Sequence, residues 1–266
     1  MKITIGITSY NRANYLEKCA KSLVVIDNLN NCNVRIYDDC STEYDTAFLK
    51  KLFPYAKEII RREKNMKSDK NIALMYENFL NTGDDILINA DSDLIFRADV
   101  ITLVNKLLPK TDGILSLYNS TIHKSIEEID VDGEKLLIKN DLGSAGTVFS
   151  REIVEKIMKN VNSGINFDWR WSEYLKNSGY KILCVKNSYV QHLGLEGQNN
   201  DGIRYDYGLG FIPGNKINQE IMSLHFEDMV LDMGNRVEFV LKNNPEYRIG
   251  YWFTNPWPSL KKLFKK

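Results

Sequence analysis

The stretch Ile86-Leu87-Ile88-Asn89-Ala90-Asp91-Ser92-Asp93 decides the fold. Gly83-Asp84-Asp85 interrupts the helical pattern before it, Ile86 to Ala90 reads as a buried strand, and two acids follow at the strand's carboxyl end. Residues i and i+2 of an extended chain share a face, so Asp91 and Asp93 point their carboxylates the same way. Such a pair suits a hard divalent cation that keeps positions open for phosphate oxygens, as magnesium and manganese do. Two solvated acids in a turn would spell the same three letters. The place after a buried strand favours the first reading, because open α/β sheets bind ligands outside the carboxyl ends of their strands.

Outward from this point, the first 110 residues alternate strand and helix patterns, as βαβ units of a mostly parallel sheet do. Ile3 to Thr8 is the first strand, and it passes through Ser9-Tyr10-Asn11-Arg12 to a helix carrying Tyr15, Leu16, Cys19, Ala20 and Leu23. Asn33 to Tyr37 is the second, ending in Asp38-Asp39-Cys40-Ser41-Thr42, a cluster of turn formers and helix caps. A helix over Thr46 to Phe53, a short strand at Glu58 to Ile60 and a helix with Ile72, Met75, Phe79 and Leu80 inward lead to the central strand. Three strand ends, at 8–12, 38–42 and 91–93, are expected to converge.

The second half predicts a mixed sheet. Ile114 to Tyr118 is a strand, and Glu128 to Ile138 is a hairpin turning at Asp132-Gly133. Ser150 precedes a helix with Ile153, Val154, Ile157, Met158 and Val161 on one face, and Phe167 to Lys176 forms the next, ending near Gly179. Strand character returns over Lys181 to Lys186 and Ser188 to Gln191, ending at His192. Residues 194–215, with Tyr205 and Tyr207, read as a long functional loop, and Ile217 to about Lys242 as a helix.

Composition narrows the function classes. Lys plus Arg and Asp plus Glu number 35 each in the 266 residues, so no global field recruits nucleic acid. Cys19, Cys32, Cys40 and Cys184 have neither zinc-knuckle nor disulfide-framework spacing and fit reduced thiols in a cytoplasmic protein. The opening MKITIGITSYNR reads as a strand rather than a leader, and no run reaches the roughly 20 apolar residues of a membrane span.

The ordered set Thr8-Ser9-Tyr10-Asn11-Arg12, Asp38-Asp39-Cys40-Ser41-Thr42, Asn71, Asp91-Ser92-Asp93, Phe167-Asp168-Trp169 and Gln191-His192 resembles family 2 of the glycosyltransferases over residues 1 to about 195. The resemblance implies a GT-A fold: an α/β domain with a Rossmann-like, mostly parallel or mixed central sheet flanked by helices. The expected boundaries are a catalytic domain at 1–215, with a nucleotide-binding half at 1–110 and an acceptor-binding half at 111–215, and a C-terminal helical extension at 216–266. It implies an inverting, hexosyltransferase-type enzyme of a bacterial kind that uses a nucleotide-diphosphate sugar, expected to be UDP-linked, with Mn²⁺ or Mg²⁺.

Carried over by position, Thr8, Tyr10, Arg12, Asp39, Lys70, Asp91 and Ser92 would surround the nucleotide sugar, and Asp91, Asp93 and His192 would hold the metal. Thr8 replaces the family's proline, and Cys40 its glycine, so the turn there must avoid positive φ or accept strain. Asp38 is expected either to cap a helix or to contact ligand. Asp168 would be the base that takes the acceptor's proton, with Glu173 as the fallback, because Phe167 stands where the family has glutamate. An acid is also simply favourable at a helix start. Trp169 and Trp171 cannot share a helix face, so one is expected against a sugar and the other in the core. His123 and His225 have no comparable company in the sequence.

The acceptor is expected to be a glycan, a lipid-linked sugar or a glycoprotein. The tail Tyr251-Trp252-Phe253-Thr254-Asn255-Pro256-Trp257-Pro258, followed by Lys261, Lys262, Lys265 and Lys266, suits either peripheral contact with a membrane or packing on the domain. Two rival functions stay open: a glycan-binding scaffold that has lost the base, and a sugar nucleotidyltransferase. Against the latter, Ser9-Tyr10-Asn11-Arg12 lacks the glycine of a phosphate loop.

Overall fold

The computed structural model describes residues 1–195 and 206–243. The chain divides into two compact units, Met1–Gln219 and Glu220–Lys266. The middle of the expected loop at 194–215, with Tyr205, and the aromatic lysine-rich tail lie outside the described residues. No helix among the described residues is long and apolar enough to cross a membrane.

In chain order the first unit contains β1 (Ile3–Ser9), α1 (Ala13–Leu23), β2 (Cys32–Asp38), α2 (Thr46–Leu52), β3 (Glu58–Arg61) and α3 (Ser68–Leu80). Then come β4 (Ile86–Asp91), β5 (Leu94–Phe96), α4 (Val100–Leu107), β6 (Ile114–Ser116), β7 (Ser125–Val131), β8 (Glu134–Lys139) and β9 (Thr147–Ser150). It closes with α5 (Arg151–Asn160), α6 (Phe167–Asn177), β10 (Leu183–Val185), β11 (Val190–His192) and the start of α7 (Lys216–Asn243), whose remaining turns are the described part of the second unit.

Among the described residues, nine strands form one sheet in the order β3-β2-β1-β4-β9-β6-β10-β8-β7. The half from β3 to β4 is parallel, as the alternating pattern predicts, and β9 enters antiparallel between β4 and β6 to make the sheet mixed. The chain lays β2 and β3 on one side of β1 and then β4 on the other, so the order reverses beside β1. That reversal is where doubly wound sheets open a crevice. Thr8 of β1 stands opposite both Tyr37 and Asp91, and Ser9 opposite Asp38.

Apolar cores cover both faces of this sheet. One gathers Ile5, Ile7, Leu16, Val34, Ile36 and Ile88, the other Met75, Tyr76, Phe79, Leu87, Phe149 and Trp171. Gly6 admits α3, since a Cβ there would overlap the Met75 side chain. The hairpin turns as expected, with Asp132 and Gly133 both at positive φ, the pairing of a type I′ turn. Ser150 caps α5 through its hydroxyl to the Ile153 N–H.

Arg151 closes the opposite end of α3. Its guanidinium donates to the carbonyls of Leu80 at 3.1 Å, Thr82 at 2.7 Å and Asp84 at 2.8 Å while lying 4.9 Å from the centroid of the Phe79 ring. These carbonyls have no helical partner, and a cation there also meets the negative end of the helix. Arg151→Ala is expected to lower unfolding stability by about 2 kcal/mol in a urea titration. Lysine, which lacks the forked geometry, should restore only part of it.

Candidate functional site

The three strand ends meet, and side chains tie them together. Asn11 accepts from the Thr42 N–H through Oδ1 at 2.8 Å, and its own N–H donates to Ser41 Oγ at 2.8 Å. The Asp39 N–H donates to the Ser9 carbonyl at 2.8 Å and the Ser92 N–H to the Thr8 carbonyl at 3.0 Å. Asn11 and Arg12 both take left-handed backbone conformations, which turns the chain sharply from β1 into α1.

Asp38 caps no helix; Asp45 caps the one that follows. Asp38 is fully buried, bonds the Ser41 hydroxyl and N–H, and pairs with Arg61 at 3.0 Å. It holds the turn. Cys40 sits in that turn at φ 65°, so this sequence accepts the left-handed strain that glycine would avoid. Asp39, also buried, accepts from the Met66 N–H at 2.7 Å and so anchors the segment before α3. Burial pushes its carboxyl up from the usual range.

At the end of β4, Asp91 Oδ1 accepts from Thr8 Oγ1 at 3.0 Å. Burial, and then the neighbouring Asp93, raise its carboxyl to about 6. Asp93 differs because of its partners. Its Oδ2 lies 2.9 Å from Arg12 Nη1 and 3.3 Å from His192 Nε2. Burial alone would raise Asp93, but His192 and Arg12 together hold it well below the usual carboxylate range. Burial would likewise lower His192, and Asp93 reverses this to about 9. The pairing of β11 with β5 places His192 opposite Leu94, which is how it reaches Asp93.

Whether these residues fit a divalent cation turns on Asp93 Oδ1, a buried oxygen with no hydrogen-bond partner. An orphaned carboxylate oxygen is costly unless something binds it. Asp91, Asp93 and His192 are of the donor types that such an ion takes. Among the described residues, no three His, Cys, Asp or Glu side chains are already gathered as a metal cage. Arg12 and protonated His192 stand in as the counter-charges. Gly194 completes the patch by its lack of a side chain: a Cβ would stand 2.6 Å from Asp93 Oδ2, 2.8 Å from His192 Cε1 and 3.2 Å from Arg12 Nη1. Gly194→Ala is expected to push the Asp93, His192 and Arg12 side chains apart and to lower unfolding stability by about 1–3 kcal/mol in a urea titration.

Tyr10 is half-buried at the same rim, whereas Lys70 extends to Ser163 Oγ at 3.5 Å, beside the loop into α6. Asp168 lies in the first turn of α6. Burial raises its carboxyl, and Asp69 adds to this, while the Trp169 N–H and His123 work against it. Burial also raises the Tyr76 hydroxyl, and both Asp168 and Asp91 add to the shift, so one side chain senses the acids of both halves. Trp171 is fully buried and Trp169 is 49% exposed, which divides the pair between core and surface.

Two contributors were not found by sequence reasoning. Asn166 is left-handed and makes no cap with its side chain, so Asp69 of α3 caps α6 instead, accepting from the N–H groups of Asn166 and Phe167 at 3.1 Å each. His123 does have company: Asp141 on its Nδ1 and the Trp169 ring 5.5 Å away.

Comparison with known proteins follows the same lines. No curated protein sequence matches the chain. Among solved structures, residues 1–349 of S. aureus TarS in complex with UDP-GlcNAc are 13% identical, with a TM-score of 0.52, covering 71% of this chain and 58% of that one. The mannosyltransferase PcManGT from Pyrobaculum calidifontis in complex with GDP-Man and Mn²⁺ is 14% identical, with a TM-score of 0.51, covering 70% of this chain and 54% of that one. The chain thus spans less than two thirds of the length of either, and the likeness is one of fold. Residues 4–129 match the family model of glycosyl transferase family 2. Over that segment the chain is similar to glycosyl transferase family 2, and its fold is like that of TarS and PcManGT.

Proposed function

We propose that the protein is an inverting glycosyltransferase that moves a sugar from a nucleotide-diphosphate donor, UDP-linked, to a hydroxyl of a glycan or protein acceptor with the help of Mn²⁺ or Mg²⁺. The observation that carries this reading is the pair of partly buried Asp91 and buried Asp93 at the switch of strand order, with Asp93 Oδ1 unpartnered. Two structural neighbours lend support, one holding UDP-GlcNAc and the other GDP-Man with Mn²⁺.

In this reading Thr8, Tyr10 and Asp39 face the base, Asp91 and Ser92 the ribose, and Arg12 and Lys70 the diphosphate. Asp91, Asp93 and His192 would hold the cation, whose chemistry is to neutralise charge on the departing diphosphate. Asp168 accepts the proton of the acceptor hydroxyl as that oxygen bonds to the anomeric carbon and the bond to the nucleotide breaks. Arg12 adds positive charge where the leaving group gains negative charge. Calorimetry with UDP tests the donor half: binding that requires Mn²⁺ and vanishes in EDTA is expected. Absence of UDP and GDP binding under both conditions would sink the reading.

A further inference from the structure

His123 stands just before β7 and is fixed from three sides. Asp141 bonds its Nδ1, Lys139 Nζ donates to its carbonyl at 2.7 Å, and its ring lies 5.5 Å from that of Trp169. A carboxylate only accepts, so Nδ1 carries a proton, which in the neutral ring leaves the lone pair on Nε2. Gly143 defines what Nε2 faces. A Cβ at 143 would stand 3.6 Å from His123 Nε2 and 4.0 Å from Asp168 Oδ2, so the missing side chain leaves a gap flanked by two acceptors. The backbone beneath it is held, with the Leu142 N–H donating to Ser172 Oγ at 3.0 Å and the Gly143 carbonyl accepting from Thr147 Oγ1 at 2.8 Å.

We propose that His123 determines acceptor specificity: together with Asp168 it reads two hydroxyl groups of a neutral saccharide ring whose face packs on Trp169. This rests on the transferase reading above and deepens it. Two acceptors flanking one gap call for donors. Hydroxyls satisfy them, whereas a phosphate or carboxylate would bring only lone pairs against the negative charges of Asp168 and Asp141. The attacking hydroxyl gives its proton to Asp168, and its neighbour donates to His123 Nε2, so the ring is oriented as well as bound. The exposed Trp169 face supplies the apolar contact beside it.

The chain has three histidines, so ring ¹⁵N spectra can be assigned residue by residue. The probes are the methyl glycosides of glucose, galactose, mannose and N-acetylglucosamine, with glucose 6-phosphate and glucuronate as anionic counterparts, each added with and without UDP and Mn²⁺. The expected result is a His123 ring protonated at Nδ1, whose Nε2 signal moves with at least one glycoside and with neither anion. His123→Ala and, independently, Gly143→Ala should weaken that glycoside by about 5- to 10-fold with UDP affinity equal to wild type. A proton on Nε2, a signal unmoved by every glycoside, a response to the anions, or UDP affinity falling in step with glycoside affinity in both variants would overturn the proposal. Failure of the wild type to bind either UDP or GDP would instead sink the transferase reading, and the His123 response in the arms without nucleotide still decides whether a saccharide is read here.

Discussion

Asp168→Asn is expected to reduce sugar transfer by about 100- to 10,000-fold, the range typical of losing a general base, while UDP affinity and the thermal midpoint stay at wild-type values. The amide keeps the shape of the carboxylate and its place in the first turn of α6, but it cannot accept a proton. Burial raises the Asp168 carboxyl, so the sign of the pH effect follows. The working form is the ionised one, and it is lost as pH falls. The acid limb of kcat should therefore lie above the range of an ordinary carboxylate. Stopped-flow measurement of nucleotide release across pH would show it, and a rate that stays flat down to the unshifted carboxylate range would contradict the assignment.

Asp93→Ala should act on the donor side, cutting metal-dependent turnover by about 100- to 1,000-fold, the cost of removing one electrostatic stabiliser of a developing charge. The variant also removes the carboxylate that faces Arg12 and His192. His192 then loses the largest of the charges that raise it to about 9, leaving Asp91 and Asp206 to oppose burial. Its titration by NMR should fall well below its wild-type position. If His192 still titrates near its wild-type position without Asp93, the pairing is not what sets its charge.

Much of this was legible in the sequence because the signals were local. The apolar run into Asp91 and Asp93, the Asp132-Gly133 turn and the Ser150 cap each depend on a few adjacent residues, and the structure places all three as expected. The strands β5 and β9 escaped notice because three or four residues are too few to show a period, yet β5 is what brings His192 beside Asp93. Asp38 misled for a related reason: its partner Arg61 lies on the neighbouring strand β3, and only the register of β2 with β3 reveals it. Asp69 caps α6 across a separation of 98 residues and His123 meets Asp141 across 18, so no spacing rule reaches either contact. What sequence patterns carry is the path of the strands. What they leave out is the set of side chains that the crossovers bring face to face.

The central claim is that this site cleaves a nucleotide sugar with the aid of Asp93 and Asp168. The most direct measurement is release of nucleotide diphosphate from a panel of UDP- and GDP-sugars, with Mn²⁺, with Mg²⁺ and with EDTA. Release from one donor that requires the cation and is lost in both Asp93→Ala and Asp168→Asn is the predicted result; no release from any donor, or release that persists unchanged in both variants, would contradict it.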